Sequence, residues 1–121
     1  MPRVVHFELP ADDPERAIAF YTRLFGWTFD KWGDEDYWLI GTGAEGEPGI
    51  DGGMGRRSPH NDFVVNTVDV ADLDASVQAV IACGGSIVMP KTPIPTVGWL
   101  AYCTDTEGNR FGMLQSDEKA G

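Results

Sequence analysis

Residues 4–27, from Val4 to Trp27, constrain this chain more than any other stretch. Val5, Phe7 and Leu9 alternate with His6 and Glu8, the two-residue period of a strand with one apolar and one polar face. Pro10 is expected to close that strand. Asp12 or Asp13 is placed to cap a following helix, with Pro14 in its first turn and Glu15 near the positive end of its dipole. Ala17, Phe20, Tyr21, Leu24 and Phe25 recur at helical spacing and are expected to form the buried stripe. Gly26 stands where a left-handed residue stops a helix and releases the chain into another strand.

The same pattern returns later. Phe63 to Val70 is a strand of β-branched residues. Asp69, Ala71 and Asp72 open a second helix with Leu73, Val77, Val80 and Ile81 on its apolar side, and Gly84-Gly85 ends it. Gly26 and Gly84 hold matching places, as do Ala17 and Ala75, and the segments Tyr37-Trp38-Leu39 and Gly98-Trp99-Leu100. In the first copy, strands are expected at Trp27–Trp32, Tyr37–Thr42 and Ile50–Arg57. The last is weakened by Gly52, Gly53 and Gly55, which point to a bulge, an edge, or close approach by a ligand. In the second copy, Ser86–Met89, Trp99–Thr104 and Arg110–Gln115 read as strands. Pro90, Pro93 and Pro95 imply an edge strand or an extended loop. Each copy reads β-α-β-β-β. The expectation is one α+β domain over 1–121, with two βαβββ modules (about 1–57 and 61–116) forming a curled mixed sheet with helices outside.

Charge and composition narrow the function. The formal net charge is −10 over 121 residues, which repels phosphate backbones and anionic lipid. Nucleic acid is therefore not an expected partner, and Arg56-Arg57 is too short a basic run to change that. No apolar run approaches the ~20 residues of a membrane span. The opening residues lack the apolar core of a secretion signal, so the expected location is the cytoplasm. Cys83 and Cys103 read as reduced, packed thiols rather than a disulfide, a zinc cluster or a thiol catalyst.

Chemistry concentrates at His6 and Glu8. They share the polar face of the first strand, about 7 Å apart along it, so the carboxylate can orient the imidazole as a general base or ligand anchor. Trp38, Trp99 and Tyr102 are candidate ligand-stacking residues among an unusual number of aromatics, and Gln115 in the last strand is a further candidate contact. The glycines from Gly49 to Gly55 are not a phosphate loop, because they match no GxxxxGK[ST] pattern and lead into no helix.

The string His6-Phe7-Glu8, Asp13-x-Glu15-Arg16-Ala17, Phe20-Tyr21 and Leu24-Phe25-Gly26-Trp27 resembles the opening of the vicinal oxygen chelate superfamily, which includes glyoxalase I, bleomycin-resistance proteins and extradiol dioxygenases. Val70-Ala71-Asp72-Leu73-Asp74-Ala75 with Gly84-Gly85 resembles the start of its second module. Asp105-x-Glu107-Gly108-Asn109-x-Phe111-Gly112 resembles its closing hairpin. In metal-dependent members a divalent cation is held by side chains from four strands. By resemblance, His6 matches the first ligand, while the others fall on Val65, on Gly112, and near Gly53 or Met54, none of them a fitting donor. The resemblance therefore implies a glyoxalase-like homodimer that binds a small molecule in a cup near His6, with no metal cofactor. The alternative is a divalent-metal-dependent lyase, isomerase or dioxygenase using His6 and Glu8, with His60, Asp69 or Gln115 as further donors.

Overall fold

The computed structural model describes residues 2–121. In chain order the elements are β1 (Val4–Ala11), α1 (Pro14–Phe25), β2 (Thr28–Lys31), β3 (Tyr37–Gly41), β4 (Asp51–Arg56), β5 (Val65–Asp69), α2 (Leu73–Ala82), β6 (Ser86–Ile94), β7 (Gly98–Thr104) and β8 (Arg110–Ser116). This is the β-α-β-β-β order twice, and the fold is α+β. Two compact units divide the described residues: one is His6–Val64, the other Val65–Gly121 together with residues 2–5.

In the N-terminal unit the strands lie in the order β2-β3-β4-β1. β2 and β4 run antiparallel to β3, and β1 runs parallel to β4. In the C-terminal unit β6, β7 and β8 are successively antiparallel and β5 runs parallel to β8. The chain's first residues join this unit through the Asp69 N–H, which donates to the Arg3 carbonyl at 2.8 Å. The two units share a parallel register: Glu8 pairs with Gly53 in one and Thr67 with Gly112 in the other.

Both helices start as their sequences require. Asp13 accepts from the Arg16 N–H at 3.2 Å, and Asp72 accepts from the Ala75 N–H at 3.1 Å. Each satisfies one of the donors that a helix start leaves without a partner. Gly26 ends α1 at φ 74°, where a side chain would be strained, and its N–H donates to the Thr22 carbonyl.

One face of each sheet is covered by its helix. In the N-terminal unit Ala11, Ile40 and Met54 are buried with Phe7, Leu9, Ala17, Ile18, Trp27, Phe29 and Trp38 around them. In the C-terminal unit Leu73, Ala101, Cys103 and Met113 are buried, with Val77, Val80 and Trp99 packed against them. By strand alternation the other face of β1 carries His6 and Glu8.

Several expectations are corrected. Pro10 does not close β1. The strand continues to Ala11, whose carbonyl accepts from the Arg57 N–H at 2.8 Å, so one missing donor is absorbed. The stripe of α1 is only partly buried: Phe20, Leu24 and Phe25 are 56–58% exposed, because Ala17 and Ile18 make the contact with the sheet. β4 is neither bulged nor an edge; it is paired on both sides, with β3 and β1. Its glycines answer crowding, since a Cβ on Gly52 would lie 2.6 Å from the Phe7 ring. β6 runs past the expected end at Met89 to Ile94, and it is the edge strand that its prolines implied, with register shifts after Ile87 and Met89. Cys103 is buried, but Cys83 is exposed rather than packed; both thiols are free. Among the described residues no helix is long and apolar enough to cross a membrane.

Candidate functional site

The polar face of the N-terminal sheet gathers three side chains on one point. His6 Nε2 lies 2.7 Å from Glu8 Oε1, and the Tyr37 hydroxyl donates to the same oxygen at 2.6 Å. The Tyr37 oxygen is also 3.3 Å from His6 Nε2. His6 and Glu8 are two residues apart on β1, so the pleat puts them on one side. Tyr37 comes from β3, with β4 between.

Gly53 makes this possible. A Cβ at that position would fall inside the Tyr37 hydroxyl and Cζ, and within 3.1 Å of Glu8 Oε2. The phenol therefore lies over bare backbone to reach the carboxylate. The cluster is partly open, with the His6 side chain 27% and the Glu8 side chain 16% exposed.

The hydrogen-bond inventory fixes the roles. An ionised carboxylate only accepts. Glu8 therefore takes the Tyr37 proton and the Nε2 proton of His6. In the neutral ring this leaves the lone pair on Nδ1, an atom with no hydrogen bond among the described residues. With the ring neutral, Glu8 thus sets its tautomer.

Other residues expected at the ligand lie elsewhere. Trp38 packs with Ile40 and Met54 on the helix side of its sheet, under the Lys31 ammonium at 5.8 Å from its ring centre. Trp99 packs on the core beneath α2, and its Nε1 donates to Asp117 at 3.1 Å. Gln115 accepts from the Leu73 N–H at 2.9 Å, which uses its oxygen to tie the start of α2. Tyr102 alternates with the buried Ala101 and Cys103 and lies against Gly112, 3.1 Å from where a Cβ would stand. Tyr37 and Gly53 were not singled out as site residues in the sequence. The available signal was the run of glycines in β4, already suggestive of a close approach.

Among the described residues, the positions that match the ligands of metal-dependent superfamily members do not offer a donor set for a divalent cation. Val65 is a buried hydrocarbon, and the directions in which side chains at Gly53 and Gly112 would project are filled by Tyr37 with Glu8, and by Tyr102 with Thr67. Met54 points to the helix-side core. Among the described residues no group of three or more His, Cys, Asp or Glu is placed to hold a metal ion. His60 is exposed in the 57–64 connection, and the Asp69 backbone is tied to Arg3. On the opposite, helix side of the same sheet a cavity of about 370 Å³ is lined by Leu9, Ala17, Tyr21, Met54 and Phe63 among others, and none of the three clustered residues reaches it.

With this geometry in place, comparison with known proteins is informative. The family model of the Glyoxalase/Bleomycin resistance protein/Dioxygenase superfamily matches residues 3–113, and the chain belongs to that superfamily. It is 30% identical over 126 aligned residues to the "Putative glyoxylase CFP32" of Mycobacterium bovis, covering 94% of this chain and 46% of the relative. The chain thus spans about half the length of the curated relatives it matches. Among solved structures, a glyoxalase/bleomycin resistance protein/dioxygenase superfamily member from Vibrio splendidus is similar at TM-score 0.67 and 19% identity, covering 96% of this chain and all of the other. Methylmalonyl-CoA epimerase from Mycobacterium tuberculosis is similar at TM-score 0.68 and 13% identity, covering 94% and 87%. At these identities the two structures bear on the fold alone.

Proposed function

We propose that this chain binds a small molecule against the His6–Glu8–Tyr37 face without a resident divalent metal, and that His6 exchanges a proton with it. The cluster over Gly53 carries this reading: an oriented imidazole with a lone pair on Nδ1 and a carboxylate behind it. The proton leaves an O–H, N–H or activated C–H of the ligand for Nδ1, and Glu8 stabilises the resulting charge. The acting form is read as a cytoplasmic homodimer without nucleic-acid partners. The two free thiols accord with that location, and the acidic chain is a poor match for phosphate backbones.

The test is a ligand screen on protein stripped with chelator, read by thermal shift and by the His6 ring resonances. Retained affinity without metal, lost in His6→Ala, is expected. Affinity that disappears on stripping and returns with Ni, Zn, Mn or Fe would sink the reading. Sedimentation at micromolar concentration tests the dimer, and a monomeric mass would refute it.

The second reading is a divalent-metal-dependent lyase, isomerase or dioxygenase. One observation favours it: His6 Nε2 and Glu8 Oε1, at 2.7 Å, are as close as two ligands of one ion. Elemental analysis of protein purified without chelator decides it, since this reading requires stoichiometric metal.

A further inference from the structure

The three clustered side chains differ in what they can still offer a ligand. Tyr37 has a single phenolic proton, and it goes to Glu8 Oε1 at 2.6 Å. Neutral His6 has one N–H, and it points to the same oxygen at 2.7 Å. Both protons are therefore spent inside the cluster. What remains toward an incoming molecule is His6 Nδ1 and Glu8 Oε2, neither of which takes a hydrogen bond from any described residue, and both are acceptors.

From this inventory we infer that the His6–Glu8 face selects ligands that present a hydrogen-bond donor or a positive charge, and rejects carboxylates and phosphates. The inference rests on the reading of this face as a ligand site. A carboxylate brought here would place acceptor against acceptor next to an ionised Glu8, leaving two polar groups unpaired and two like charges in contact, a large penalty in a partly buried site. An alkylammonium or a hydroxyl pairs both remaining acceptors, and hydrogen bonds to an ionised group are the stronger kind. Arg56 does not invert this balance. It lies at the far end of β4, engaged with Asp36 at 3.0 Å. Arg57 is held by Asp12 and Asp62. The preferred class is therefore a small amine, amidine or acidic alcohol rather than an acyl anion.

Three ring compounds of similar size test this at about pH 8: benzylamine, benzyl alcohol and benzoate. Binding is read by calorimetry and by the His6 ring signals, in chelator-treated protein. Benzylamine should bind more tightly than benzoate by about tenfold or more, the scale of one charge-assisted hydrogen bond, with benzyl alcohol between. Glu8→Gln, which keeps the shape but adds a donor and removes the charge, should erase the preference; a circular-dichroism spectrum like the parent's checks its fold. Tyr37→Phe should keep the preference, because the phenol proton was never available to the ligand. Glu118→Gln, which lowers the total charge equally from the C-terminal tail, should also keep it. Benzoate binding as tightly as benzylamine overturns the inference while leaving the site itself in place. So does a preference that survives Glu8→Gln or falls equally with Glu118→Gln. Absence of any His6 response to all three probes at millimolar concentration overturns both the inference and the site beneath it.

Discussion

Tyr37 on β3 donates to Glu8 on β1 at 2.6 Å although β4 runs between their strands. The bond passes over Gly53, so the two partners depend on a third residue that contributes nothing but the absence of a side chain. Gly53→Ala should therefore displace the phenol and cost about 1–3 kcal/mol, as overpacking does. Tyr37→Phe alone should cost about 1–2 kcal/mol for a lost bond to a carboxylate. In denaturant titrations the double variant should be less destabilised than the sum of the two, because the methyl still crowds the ring but no longer breaks a bond. Strict additivity would show that Gly53 and Tyr37 act separately.

The two thiols should separate cleanly in a labelling experiment. Cys83 is exposed at the end of α2. Cys103 is buried on the core of β7, and burial raises its thiol above the ordinary range. A thiol-reactive disulfide reagent at neutral pH should titrate one group in the native protein and a second only in denaturant, with Cys83→Ser abolishing the fast phase. Two equally fast groups would place Cys103 at the surface.

Acid should weaken the closing hairpin. Asp105 accepts from the Asn109 N–H first of all, then from the Asn109 side chain and the Glu107 N–H, and these bonds hold its carboxyl below the usual range. A lowered folded value means the stabilisation is complete above the unfolded carboxylate range and is lost as pH falls through the folded value. Asp105→Ala should therefore melt below the parent at pH 7, and the gap should narrow below about pH 4. A gap constant with pH would mean the carboxylate charge plays no part.

The helix caps give a matched pair. Asp13→Ala and Asp72→Ala each remove one side-chain acceptor from a helix start, at a cost of about 1 kcal/mol. Chemical denaturation should show similar losses for both. A loss near zero at Asp13 would mean that Pro14 and Glu15 alone suffice to start α1.

Local chemistry was legible in the chain, and non-local chemistry was not. Asp72, Gly26 and the alternation of β1 act within a few residues of themselves, so their signals are complete in the sequence, and the superfamily could be recognised from them. The phase of the aromatic strands was not legible: a tryptophan suits either face, and Trp38 and Trp99 both turned toward their helices. The glycines of β4 read as weakness because a strand's centre is ordinarily built of β-branched residues; their reason, the Phe7 ring and the Tyr37 phenol crossing over them, lies on other strands. Tyr37 and Glu8 are 29 residues apart in the chain, and no pattern of spacing announces their meeting. The stripe of α1 was over-read because helical periodicity gives the width of an apolar face but not the width of the surface beneath it.

The glycine under the phenol also shapes what descent can do with this protein. A mutation that introduced a carboxylate at position 53 would arrive in a space already taken by the Tyr37 phenol, and would be discarded as a folding defect before any benefit in cation binding could be felt. Tyr37 would have to be lost first, leaving an intermediate with neither device. The order of those two changes makes the present arrangement a ratchet, easier to enter than to leave.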